Sequence, residues 1–130
     1  MAQREAISTT DAPAAVGPYS QAIRTGELVF TAGQLGTDPA SGEFAGDGVA
    51  QQAERAIANL EAILVAAGSG LANLVKVTVF LADIDEWSAV NEVYARLIPE
   101  PFPARSAFAV KDLPRGARVE IEAVATVGRG

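Results

Sequence analysis

Two periodicities alternate along the chain. Between residues 48 and 67, Val49, Ala53, Ala56, Ile57, Leu60, Ile63, Leu64 and Ala67 recur at helical intervals and share one face. Asp47 is the expected N-cap of this helix, and Gly68 stands where a left-handed residue closes one. A second helix is expected over about 86–98, with Asp85 as its cap and Trp87, Val90, Tyr94, Leu97 and Ile98 as its apolar stripe. Pro99, Pro101 and Pro103 forbid its continuation. Elsewhere the pattern is that of strands: Tyr19 to Arg24 and Leu28 to Leu35 around Thr25-Gly26-Glu27, the β-branched run 74–82, and residues 104–111 and 117–127 flanking Leu113-Pro114-Arg115-Gly116. Residues 11–18 and 36–48, rich in Pro, Gly, Asp and Ser, read as surface loops. The order is β-β-α-β-α-β-β, with a further short strand open near Ile7, in a single α+β domain over 1–130.

Two helices cover only one face of such a sheet, so a monomer should show polar residues on the other. Instead, Val75, Val77, Val79 and Leu81 alternate with Thr78, Phe80 and Ala82, and 28–35 is apolar on both sides. An uncovered apolar sheet face normally meets a partner, which points to a homo-oligomer; burial by long loops is the alternative.

Composition narrows the chemistry. The chain has no histidine and no cysteine, which removes Ser-His-Asp and Cys-His nucleophilic systems and zinc sites built on those ligands. Asp83, Asp85 and Glu86 cluster, but they lack the spacing of a calcium loop and read as helix-capping residues. No phosphate-binding glycine motif occurs. A net charge of −6 disfavours wholesale nucleic-acid binding. No apolar run is long enough to span a membrane, no signal peptide is visible in the first eleven residues, and a cytoplasmic location is expected.

Five polar positions need explaining. Along 118–127, Glu120 and Glu122 alternate with Val119, Ile121 and Ala123, so both carboxylates share one face and repel. If the last two strands form a hairpin at Pro114, Arg105 lies opposite Glu122 and near Glu120. That arrangement is either a cross-strand ion pair or a small anion pocket beside a carboxylate. Asn91, four residues after Trp87 and three before Tyr94, sits in or beside the buried stripe; it bonds a loop carbonyl or organises a site. Tyr19, after Gly17-Pro18, packs as an aromatic or turns its hydroxyl to a ligand.

The stretches GPYSQA (17–22), TAGQL (31–35), VAAGSGLANLVKVTVFLAD (65–83), VNEVY (90–94), FPARSAF (102–108) and VEIEAVA (119–125) closely resemble the Rid family, the YjgF-type reactive-intermediate deaminases. The resemblance implies a chorismate-mutase-like fold and a homotrimer, with three sheets forming a central barrel, helices outside and clefts between subunits. It also implies cofactor-independent hydrolysis of 2-imino acids, such as 2-iminopropanoate from 2-aminoacrylate, to 2-oxo acids and ammonia. Arg105 then offers a fork to the substrate carboxylate, the backbone N–H of Ala107 adds a donor, and Glu120 positions and activates water. Tyr19 and Asn91 match positions that line or order the cleft, and Glu122 a structural one. Two positions depart from the family pattern: Ala32 replaces a serine and Ala107 a cysteine, which bears on substrate preference. The competing functions are a non-catalytic sensor of small carboxylates and an RNA-directed endoribonuclease or translation inhibitor.

Overall fold

A computed structural model describes residues 3–127. Seven strands form one sheet: β1 (Arg4–Ile7), β2 (Ala22–Thr25), β3 (Leu28–Thr31), β4 (Gln34–Leu35), β5 (Leu74–Leu81), β6 (Ala104–Ala109) and β7 (Val119–Thr126). The helices are α1 (Val49–Ala66) and α2 (Trp87–Leu97). The strand open near Ile7 is thus real, and it pairs with β2. The expected run 28–35 breaks at Ala32-Gly33 into β3 and β4, which both pair with β7. In the gap, the Thr31 hydroxyl accepts the Ala123 N–H at 3.0 Å, which satisfies a donor the ladder leaves open.

Spatial order is β1-β2-β3-β7-β5-β6, with β4 also on β7. This overturns the hairpin expected between the last two strands. β6 runs parallel to β5, Arg105 beside Val77 and Ala107 beside Val79. β7 runs antiparallel to β5 on its other side and is flanked by β3 and β4. The reason lies in α2: a strand-helix-strand crossover returns the chain parallel to its starting strand, and both edges of β7 are already taken.

Both helices lie on one face. Val77, Val79, Leu81, Val119, Ile121 and Ala123 pack there against Ala53, Ile57 and Leu60 of α1 and Val90, Val93 and Tyr94 of α2. Val75 is not among them: a register shift between Leu74 and Lys76 turns it outward, 46% exposed. The first helix starts from Gly48, whose N–H donates to Gln51 Oε1 at 3.3 Å; Asp47 provides no cap. Gly68 has φ 82°, the left-handed conformation expected after the helix. Before α2, Asp83 rather than Asp85 does the capping, its Oδ1 accepting the Asp85 N–H at 2.9 Å.

The opposite sheet face is open in the single chain. Leu28, Phe30 and Phe108 are 38%, 42% and 45% exposed, and Phe80 meets Phe108 edge to face at 5.4 Å. Lys76, whose Nζ donates to Ser106 Oγ at 3.0 Å, shares this face with the carboxylates of Glu120 and Glu122.

Candidate functional site

Strand register decides where each candidate stands. Side chains of paired residues share a face, so Arg105, paired with Val77, lies on the helix side; Glu120, paired with Phe80, lies on the open side. The expected common face within one chain is therefore wrong. The chain carries two candidate half-sites, separated by the sheet.

The first half-site belongs to α2 and the edge strand β6. Trp87, Asn91 and Tyr94 recur at i, i+4 and i+7, and all three meet one guanidinium. Arg105 Nη1 donates to Asn91 Oδ1 at 2.9 Å. Its guanidinium carbon lies 4.5 Å from the centre of the Trp87 ring and 4.6 Å from that of Tyr94. Asn91 thus organises Arg105 rather than a loop carbonyl. Beside Arg105 opens a cavity of about 310 Å³, lined also by Asn91, Tyr94, Ala95, Phe102 and Pro103. The Tyr94 hydroxyl is buried, and burial raises its pKa, while the charge of Arg105 and a side-chain hydrogen bond from it act against that rise.

Ala107 contributes backbone to this half-site. Val110 N–H bonds inward to the Leu81 carbonyl at 2.9 Å. Alternation along the parallel edge strand therefore turns the Ala107 N–H outward, away from β5 and free to donate.

The second half-site is a cavity of about 370 Å³ that holds Tyr19, Gly33, Gln34, Arg115 and Glu120. Burial raises the Glu120 pKa above the ordinary carboxylate range, and the like charge of Glu122 adds to it. Gly33 makes the space: a Cβ there would lie 2.2 Å from Glu120 Oε2 and 2.8 Å from its Cδ. Ala32 stands one residue before this glycine, its N–H bonded to the Gln21 carbonyl at 2.9 Å, but does not line the cavity. Tyr19 is 52% exposed, its hydroxyl accepting the Val16 N–H at 3.4 Å. Arg115, in a left-handed conformation at φ 59°, donates to the Gly42 carbonyl at 2.9 Å and lies over the Phe44 ring.

Buried amides fix the walls. Gln21 Nε2 donates to the Pro13 carbonyl at 2.7 Å and its Oε1 accepts the Thr9 N–H at 2.7 Å, holding the segment before Tyr19. Asn59 Nδ2 reaches the Thr37 carbonyl at 2.9 Å, and Gln52 Nε2 the Gly46 carbonyl at 3.0 Å. Satisfied amides of this kind make the loop geometry rigid.

Trp87 and Tyr94 escaped the sequence reading because their spacing is equally that of a core stripe. The signal was the polar Asn91 set between two aromatics on the same helix face. Gly33 carried no signal without the fold. We expect Gly33→Ala to displace the Glu120 carboxylate and lower any turnover that depends on it by about 10–100-fold. Retention of the wild-type rate in a steady-state assay would show that the carboxylate needs no such space.

Among the described residues, no group of three or more Asp and Glu side chains is arranged to hold a metal ion. No helix among them is long and apolar enough to cross a membrane.

The sequence profile of the family described as endoribonuclease L-PSP matches residues 9–127. The 2-iminobutanoate/2-iminopropanoate deaminase of Bos taurus is 52% identical over 125 residues, covering 96% of this chain and 91% of its own. Reactive Intermediate Deaminase A, chloroplastic, of Arabidopsis thaliana is 46% identical, with 96% and 67% covered. Among solved structures, RidA from an Antarctic Psychrobacter superposes with a TM-score of 0.92 at 44% identity, over 95% of this chain and 100% of that one. Escherichia coli TdcF with bound serine gives 0.91 at 38% identity, over 95% and 99%.

Proposed function

The chain belongs to the endoribonuclease L-PSP family, as its Rid branch of imino-acid deaminases, and from that premise we propose how its two half-sites perform the reaction. The protein is an enzyme that hydrolyses 2-imino acids to 2-oxo acids and ammonia. The observation that carries the mechanism is the separation itself: anchor and base lie on opposite faces of one sheet, so a working site takes Arg105 from one copy and Glu120 from the next. A homotrimer with sites between subunits supplies that pairing, and the open face bearing Phe30, Phe80 and Phe108 supplies the apolar surface for it.

In such a crevice the fork of Arg105 holds the substrate carboxylate, with the outward Ala107 N–H as a further donor. Glu120, across the interface, takes a proton from water as the water's oxygen adds to the C=N carbon. The proton then passes to the nitrogen, which leaves as ammonia when the carbonyl forms. Tyr19 and Gln34 wall the Glu120 side, and Asn91 orients Arg105. Glu122 keeps a structural place on the open face, where its charge also raises the pKa of Glu120. The substrate's protonated imine is itself electrophilic, so the chemistry calls for no cofactor. We place the enzyme in the cytoplasm, in keeping with a chain free of cysteine.

Co-expression of Arg105→Ala and Glu120→Gln chains tests the shared site. Each homotrimer is expected to be inactive. Random mixing makes three trimers in four mixed, each with one intact crevice of three, so about a quarter of wild-type activity returns. No recovery would place both groups in one chain's site and sink the cross-subunit mechanism.

The relative holding serine favours a second reading, binding of small carboxylates without turnover. Calorimetric binding of a 2-oxo acid with no acceleration of 2-iminopropanoate hydrolysis would select it. Metal-independent RNA cleavage that disappears on Glu120→Ala would instead select the activity in the family's designation; the net charge of −6 and the absence of histidine weigh against that outcome.

A further inference from the structure

Arg105 sits on an exposed edge strand, where a long cation ordinarily samples many rotamers. Here three side chains of one helix hold it. Its guanidinium carbon lies within about 5 Å of two aromatic centres, Trp87 and Tyr94, and Nη1 is committed to Asn91. Among the described residues the guanidinium pairs with no carboxylate. The cation is therefore held by two rings and through Nη1, while no carboxylate among those residues neutralises it.

We propose that Trp87 and Tyr94 are positioning residues that clamp Arg105 between them, so that it meets a substrate carboxylate in one orientation. This rests on the reading of Arg105 as the carboxylate anchor. The clamp acts before any ligand arrives, since both ring contacts exist within the single chain. It spares the anchor most of the ordering entropy that an exposed arginine loses on binding. The rings add attraction for the cation while offering the substrate no competing donor. Lysine could not use the clamp, because an ammonium has no plane to be stacked.

The chain has one tryptophan, and it is Trp87, so the clamp carries its own reporter. Titration of the intact protein with 2-oxobutanoate is expected to change the Trp87 emission with saturation, while the neutral 2-oxobutanamide leaves it unchanged. Arg105→Ala should abolish the change. Binding of each ligand is then measured by calorimetry in variants. Trp87→Leu is expected to weaken 2-oxobutanoate about tenfold, one ring's share of a partly desolvated cation–π contact, and to leave 2-oxobutanamide within twofold. Trp87→Phe should restore most of the affinity, because it keeps an aromatic face against the cation.

Equal weakening of both ligands by Trp87→Leu would reduce Trp87 to a packing residue and overturn the proposal. So would unchanged 2-oxobutanoate affinity in Trp87→Leu, or an emission change that survives Arg105→Ala. Because the readout is binding, its failure is separable from that of the enzymatic reading: a correct clamp with no imine hydrolysis would leave the proposal standing and remove the deaminase.

Discussion

Arg105→Ala is expected to lower kcat/KM for 2-iminopropanoate by about a thousandfold while the assembly and the fold persist. The magnitude follows from what the fork supplies. Two charge-assisted hydrogen bonds to one carboxylate contribute about 1.5–3 kcal/mol each, and about 4 kcal/mol in the transition state is roughly three powers of ten in rate. The fold should tolerate the loss. Arg105 is exposed, belongs to no ion pair among the described residues, and meets the core only through Trp87 and Tyr94 of α2. Removing it leaves Asn91 Oδ1 and the Trp87 ring to water, a small cost at a surface. Arg105→Lys is expected to recover little, because a point charge fits neither the two rings nor the fork. The checks are steady-state rates beside size-exclusion chromatography and thermal unfolding. A variant that remains assembled and hydrolyses the imine at the wild-type rate would remove Arg105 from the mechanism. A variant that dissociates would show Arg105 to be an interface residue first.

Most of the fold was legible because it is local. The apolar stripe of α1 and the β-branched run of β5 were placed within a residue or two, and the left-handed Gly68 was found from its position alone. So was the two-sided apolar character of the sheet, visible in Phe30 and Phe80 without any knowledge of pairing. What stayed hidden is non-local. Pro114 and Gly116 do form a turn, and a turn between two strand-like runs reads as a hairpin. Nothing in the runs themselves says that β7 inserts between β3 and β5 and leaves β6 on the far edge. A pairing error of that kind moves a side chain to the other face of the sheet, and it did so for Arg105. The hairpin expectation put Arg105 and Glu120 on one face, and the register puts them on opposite faces. Val75 went wrong for a smaller reason of the same sort: it sits in the bulge between Leu74 and Lys76, which breaks the alternation at that residue. The Asp47 and Asp85 caps failed because cap preference is satisfied by neighbours, here the Gln51 side chain and Asp83.

Glu120→Gln should lower kcat by about 10²–10⁴-fold, the range that a positioned general base contributes, with a much smaller effect on KM. The amide is nearly isosteric, so the cavity beside Gly33 stays filled and the water can still be held; what is lost is the group that takes its proton. The pH profile carries the stronger statement. Burial and the charge of Glu122 raise the Glu120 pKa above the ordinary carboxylate range. The base must be ionised to act, so wild-type kcat should rise with pH through that elevated value, and Gln should erase this limb. Stability should move the opposite way. The folded state binds this proton more tightly than the unfolded chain does, so ionising Glu120 costs the folded state stability. The favourable contribution is full below the unfolded carboxylate pKa and is lost as pH rises through the folded one. Replacement by Gln therefore flattens that decline, and at neutral pH the variant should melt at or above the wild-type temperature. Loss of rate joined to unchanged or improved stability is the signature of a group held in place for chemistry. A Gln variant that keeps both the acid limb and the wild-type rate would assign the proton transfer elsewhere.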